Sequence, residues 1–361
     1  MNGRAVVLTE FGRDLRLREF PVPQAPPGGM VVASEYGGVC GTDLHLQQGH
    51  LDVPVPLVLG HEGFGTIVEL ATATDAKGQA LNVGDRVMWA SSIACGRCVP
   101  CRSYREPTLC TNRQTYGVNR PTTAEPALSG SWADFIVLRE GTTVIKVPDG
   151  IDPVAAMSFA CAGPTMVHAL FERRPVRLGE TVVVQGSGPV GLAAAALAHI
   201  SGAGKVILAG GPANRLKLAA EAGIGDHHVN VVETWDALAE VVELTGGGGA
   251  DLVIECAGVP SAFGEGLRLA RRGGSYLVVG QYTDSGDATV NPHQIVYRQL
   301  DVIGSWAFTG AHLIEYVQLL PALAARFDLA SLVTTYPLAE HGAALRDVAN
   351  GSVMKAVLTS R

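Results

Sequence analysis

The feature that most constrains this chain is a glycine-spaced turn, Gln185-Gly186-Ser187-Gly188-Pro189-Val190-Gly191. It lies between an apolar β-type run, Thr181–Gln185, and an alanine-rich helical run, Val190–Ser201. Gly186 permits the tight turn, Gly188 lets the backbone approach a pyrophosphate, and Gly191 allows the helix to pack closely on the strand. The helix start at Pro189 and Val190 offers unpaired N–H groups to a phosphate. A glycine-rich turn without a ligand is the alternative, and the strand–turn–helix context argues against it.

The rest of this region keeps the same rhythm. Lys205–Leu208, Asp251–Cys256 and Ser275–Val279 read as strands, and Arg215–Ala222 as a helix. Alternation of strands and helices implies a doubly wound parallel sheet. Before Pro164 the texture differs. Short apolar runs such as Met30–Ser34, Gly65–Leu70, Arg86–Trp89 and Phe135–Leu138 are broken by Gly and Pro, which predicts a β-rich module. After about residue 307 the pattern turns irregular and ends in a short apolar strand, Lys355–Leu358. A length of 361 residues suits two domains, and 47% apolar residues suffice for their cores.

An acidic residue about 20 positions beyond the glycine turn ordinarily holds the ribose 2′-hydroxyl of NAD. Here that position is Gly210, within Gly210-Gly211-Pro212. Arg215 follows and reads either as a contact to the adenosine ribose or a phosphate, or as a solvated helix charge.

Seven cysteines stand at 40, 95, 98, 101, 110, 161 and 256. Four of them, Cys95, Cys98, Cys101 and Cys110, lie in one loop rich in turn residues. The first 20 residues carry no apolar core behind a basic start, so no secretory signal is expected and metal ligation is favoured over disulfides. Four thiolates so spaced can wrap one tetrahedral Zn2+. A free thiol cluster or an iron–sulfur site is the competing reading. Cys40, His61 and Cys161 would supply two sulfurs and one nitrogen and leave a fourth position open, the pattern of a catalytic zinc. They are far apart in sequence, and each alone is as readily structural. Cys256, in an apolar strand, reads as a small core residue.

Together, Gly37–His45 (GGVCGTDLH), GHEGFGTIVE, VGDRV, the four-cysteine loop, CAGPT, QGSGPVGL, ECAG and the closing MKAVL resemble the zinc-containing medium-chain alcohol dehydrogenase family over essentially the whole chain. The resemblance implies an α/β protein: a GroES-like β-rich catalytic domain (1–164), a Rossmann domain (165–307), and a C-terminal return (308–361). It implies two zinc ions per chain, one held by Cys40, His61 and Cys161 and a structural one by Cys95, Cys98, Cys101 and Cys110. It assigns Thr42 to the substrate oxygen, His45 to the end of a proton relay, Asp43 to holding the His61 imidazole, and Glu62 to the far side of the zinc. Asp43 also suits the cap of the next helix. The implied reaction is hydride transfer between an alcohol and NAD, NADP not being excluded because Gly210 replaces the usual acid.

Leu46, His50, Trp89, Tyr116 and Trp306 are candidates for the substrate pocket, and the tryptophans suggest a bulky or cyclic secondary alcohol. Ordinary core packing is the competing reading for each tryptophan, and a structural role for His50 and His168. A polyol or amino-alcohol dehydrogenase is the nearest rival, though Cys161 stands where such relatives carry an acidic ligand. A zinc-binding structural or interaction protein is the rival outside catalysis. A net charge of −7 argues against nucleic-acid binding, and no apolar run is long enough to span a membrane. The expected setting is the cytoplasm, with a homodimer or homotetramer and a small-molecule alcohol or carbonyl as partner.

Overall fold

The computed structural model describes residues 2–360 and divides into two compact units. One comprises the chain up to Cys161, Thr309–Pro321, and the chain from Val333 onward. The other comprises Ala162–Phe308 and Ala322–Leu332.

The first unit is built on a seven-stranded sheet. Its path runs Val144–Lys146, Arg86–Trp89, Gly63–Leu70, Met30–Val39, Lys355–Thr359 and Val333–Pro337, with Phe135–Leu138 also paired to Met30–Val39. Met30–Val39 is therefore the hub, and it is longer than the apolar run Met30–Ser34 suggests. The closing strand lies antiparallel beside it with Ala356 opposite Val39, which sets residue 355 level with residue 40. A smaller sheet of Arg16–Pro21, Asn2–Leu8 and Leu57–Val58 packs a second apolar layer that includes Val6, Leu8, Leu57 and Trp132.

The second unit holds six parallel strands in the order His227–Asn230, Lys205–Gly210, Thr181–Gln185, Ala250–Glu255, Ala270–Val278 and Asp301–Gly304. Numbered by sequence this is 3-2-1-4-5-6, so the order reverses beside Thr181–Gln185, where a ligand crevice is expected. The two outer strands escape a reading from sequence alone. His227–Asn230 is polar and Asp301–Gly304 is largely exposed, because an edge strand is covered on fewer sides and needs no continuous apolar run.

The irregular texture expected after residue 307 is corrected by two helices, Gly310–Arg326 and His341–Ala349. In the first, Leu313, Tyr316, Val317, Leu320 and Leu323 are buried at helical spacing. Pro321 sits inside it and disguises the period as a break.

Candidate active site

Met30–Val39 ends one residue before Cys40, whose extended backbone (φ −122°, ψ 164°) caps the helix Gly41–Gln48. Asp43, fully buried at the third helical position, accepts the Cys40 N–H through Oδ2 at 2.9 Å. Its Oδ1 lies 3.4 Å from His61 Nδ1. Asp43 thus closes the helix start and faces the imidazole, close enough to bias ring orientation.

Cys40, His61, Glu62 and Cys161 converge so that one ligand atom from each lies within 4.8 Å of the others. His61 and Glu62 are buried, and neither His61 Nε2 nor Glu62 Oε1 has a hydrogen-bond partner. A buried imidazole nitrogen left unpaired is costly unless something binds it. Two sulfurs and a nitrogen around that point are the donor set of a catalytic zinc with an open position, so the residues fit the metal. Hydrogen bonding from Cys161, reinforced by His61 and Lys355, outweighs burial and holds the Cys40 thiol well below the ordinary range. That favours the thiolate a metal requires. Burial lowers the affinity of His61 for a second proton, but Asp43 and the two sulfurs outweigh it, and the net shift is upward.

Behind the cluster stands a residue to which the sequence alone gave no role. Lys355 Nζ lies 2.5 Å from Glu62 Oε2 and donates to the Val39 carbonyl at 3.1 Å. Lysine and glutamate are both buried. The pair leaves Glu62 Oε1 as the oxygen facing His61, at 4.0 Å from Nε2.

Thr42 Oγ1 stands 3.9 Å from Cys40 Sγ, and one turn on His45 is half-buried with its Nδ1 3.1 Å from that of His50. Of the substrate-pocket candidates, Leu46 and Tyr116 are core residues. Leu46 is buried among Leu8, Leu57 and Trp132, and the Tyr116 hydroxyl bonds Thr142 Oγ1 and the Arg139 N–H. Trp89 is buried in the sheet core with its ring against Gly63. Trp306 is partly exposed and stacks on Tyr282 at 4.9 Å. His168 is buried, with Nδ1 2.9 Å from the Ala307 carbonyl.

The four-cysteine loop also closes on itself. Its sulfurs lie within 4.8 Å of one another, Cys98 being 3.4 Å from Cys101 and 3.8 Å from Cys110. Ligands on a tetrahedral zinc with bonds of about 2.3 Å stand about 3.8 Å apart, so the loop is shaped for that ion. The backbone N–H of Cys101 pulls the Cys98 thiol down to about 6.

In the second unit the glycine turn opens onto a cavity of about 660 Å³. Gly186 has φ +108°, and a Cβ at Gly191 would stand 1.8 Å from the Gly186 carbonyl, so neither position admits a side chain. Gly188 caps the helix Pro189–Ile200 without a side-chain bond, leaving the first N–H groups open to an anion. Ser187, buried, donates to the Gly211 carbonyl at 3.0 Å. A Cβ at Gly210 would lie 2.6 Å from Ser187 N and 2.7 Å from its Oγ. The acidic residue expected at 210 is thus excluded sterically. Arg215 lines the cavity, half-buried rather than solvated, with a guanidinium nitrogen 3.9 Å from where a Gly188 Cβ would stand. Val231, Val232 and residues 234–238, including the exposed Trp235, also line the cavity and carried no sequence signal. Cys256 lines this cavity too, which corrects its reading as a core residue.

Comparison with known proteins agrees with both units. Residues 26–149 match the alcohol dehydrogenase GroES-like domain and residues 189–324 the zinc-binding dehydrogenase model. The 5-exo-hydroxycamphor dehydrogenase of Pseudomonas putida is 34% identical over 99% of this chain and 98% of its own. The sorbitol dehydrogenase of Halalkalibacterium halodurans is 33% identical over 99% of each. This chain belongs to the zinc-binding alcohol dehydrogenase family. Its fold is accordingly a GroES-like domain with a Rossmann domain, and an alcohol dehydrogenase of Thermotoga maritima superposes with a TM-score of 0.94 at 34% identity, covering 99% of each chain. A zinc-binding dehydrogenase from Sinorhizobium meliloti, solved with NADP, follows at 0.86 and 27% over 99% of each. As a family member the chain is an alcohol oxidoreductase, and its donor sets fit a catalytic zinc, a structural zinc and NAD(P).

Proposed function

We propose that this dehydrogenase interconverts a bulky, cyclic secondary alcohol and its ketone, with NAD as the favoured cofactor. The observation that carries the reading is the convergence of Cys40, His61 and Cys161 around an unpaired His61 Nε2. Zinc held there would supply Lewis-acid polarisation of the substrate oxygen, while the nicotinamide would supply hydride chemistry. The chain's own residues do the rest. Asp43 faces the His61 ring, Lys355 fixes Glu62, the Thr42 hydroxyl accepts a hydrogen bond from the substrate hydroxyl and releases its own proton as it takes up the substrate's, and His45 stands at the end of that relay. Cys95, Cys98, Cys101 and Cys110 hold the second, structural zinc.

Support for the substrate class comes from the hydroxycamphor dehydrogenase relative, which spans the whole chain. For the cofactor, the cavity is lined by Asp236 and Glu265 against the single cation Arg215. That balance disfavours a further 2′-phosphate. We assign the functional division to 1–164, 165–307 and 308–361, while compactness breaks the chain after Cys161 and groups Ala322–Leu332 with the second unit. Among the described residues the edge strand Asp301–Gly304 is paired on one side, with Val296, Tyr297 and Val302 exposed nearby, which suits a homodimer as a first assembly step. No described helix is long and apolar enough to cross a membrane, and the cytoplasm remains the proposed setting.

The test is reduced-nicotinamide absorbance with NAD or NADP against linear, cyclic and terpenoid secondary alcohols, with and without a zinc chelator. Chelator-sensitive turnover of a cyclic alcohol is expected. Full activity of Cys40→Ala would refute the assignment of the site.

A further inference from the structure

We infer that His50 is a second station of the proton exit, receiving through His45 the proton that the substrate alcohol gives up. The inference rests on the proposed role of His45 and extends it.

The geometry is direct. The helix Gly41–Gln48 ends at Gly49, whose left-handed backbone (φ +80°, ψ 20°) turns the chain back so that the His50 N–H bonds the His45 carbonyl at 2.9 Å. A side chain at Gly49 would be strained at this φ and would press on Phe11, 3.1 Å away. The turn brings the two imidazoles together with Nδ1 to Nδ1 at 3.1 Å and ring centroids 5.4 Å apart. Two ring nitrogens at that distance share one proton: one donates and the other accepts. Accessibility rises along the same path. Asp43 is buried, Thr42 and His45 are half-buried, and His50 is exposed. A proton that reaches His45 therefore has a further step toward water at His50.

The step balances without any further reactant. A proton taken up on His45 Nε2 makes an imidazolium, which gives its Nδ1 proton to Nδ1 of His50. His50 then loses its Nε2 proton to water or buffer. Each ring gains one proton and loses one, ending as its other tautomer. The charges acting on His45 favour passing the proton on. Burial and then the His50 imidazole lower its affinity for a proton, and Cys40 on the inner side acts the other way. The segments packed on the far side of this helix carry Asp14, Glu340, His341 and Arg346, which line a groove with Gln47 and Gln48.

The test compares His50→Gln and His45→Gln with the wild-type zinc-loaded enzyme. His50→Gln should lower kcat at neutral pH about tenfold, less than the roughly 100-fold or more that a group transferring protons with the substrate itself supplies, because His50 acts through His45. KM should hold, the solvent isotope effect should grow, and added imidazole buffer should restore the rate. Nitrogen-15 NMR of the ring nitrogens gives a readout independent of turnover: the His45 titration should move up toward 6.5 when His50 is removed. Unchanged kcat, unchanged pH profile and no buffer rescue in His50→Gln would overturn the inference. If His45→Gln slows turnover while His50→Gln does not, the inference alone fails. If neither slows it, the relay through His45 fails with it.

Discussion

Lys355→Met isolates the buried pair behind the candidate zinc. Nζ and Oε2 are 2.5 Å apart, with side-chain exposures of 3% and 0%. At an effective dielectric of 20 the gross attraction at that separation is about 7 kcal/mol. Desolvating both ions offsets much of this, so the intact pair adds little net stability. Removing one partner is different, because Glu62 is left buried without its counter-ion beside the Cys40 sulfur; burial already raises its carboxyl, and it must then either stay charged and unpaired or take up a proton. The expected loss is about 3–5 kcal/mol. For a unit of this size that is a Tm fall on the order of 10 °C. Differential scanning calorimetry at saturating zinc is the assay, with zinc content measured alongside to show that the metal sites stay filled. The double variant Glu62→Gln/Lys355→Met removes both charges and should recover most of the loss, since no unpaired ion remains. A Tm fall below about 2 °C for Lys355→Met, the behaviour of an exposed pair, would refute the reasoning.

Gly210→Asp should weaken NAD binding by at least about tenfold, measured calorimetrically, because its Cβ would collide with Ser187; an aspartate that sharpened NAD over NADP without loss of affinity would contradict the packing. Cys110→Ser should reduce bound zinc from two per chain to one and expose the 95–110 loop to protease, while retention of two zincs would rule out a four-thiolate site. Stability should also depend on Glu180. Burial raises its carboxyl, but the Arg174 guanidinium at 2.7 Å and the Arg177 N–H outweigh this and hold it below the usual range. A depressed carboxylate contributes stability that is present above its unfolded value and lost as pH falls through the folded one. Below about pH 4.3 the wild type should therefore lose stability more steeply than Glu180→Gln in urea titrations, and parallel curves would remove Glu180 from the acid response.

What sequence could reveal depended on how far apart the cooperating residues lie. The four thiols fall between Cys95 and Cys110, and the three fingerprint glycines between 186 and 191, so each site is folded by its own short segment and its spacing carries the chemistry. Cys40, His61 and Cys161 meet only because the tertiary fold brings their distant segments together, and their residue types alone left catalytic and structural readings open. Composition does not separate pocket from core, for a related reason. Trp89, Tyr116 and Leu46 have the right chemistry for an apolar substrate, but the same chemistry fills a core, and sequence does not say which face of the strand or helix is covered. Lys355 is the extreme case, with its acidic partner 293 positions away. Its role rests on register: with Ala356 opposite Val39, residue 355 falls level with Cys40, while a slip of one residue would turn the side chain to the other face and leave Glu62 without its counter-ion. The closing strand thus supplies the charge that sets the orientation of Glu62, so losing the register of residues 355–359 should impair the centre before it unfolds the sheet.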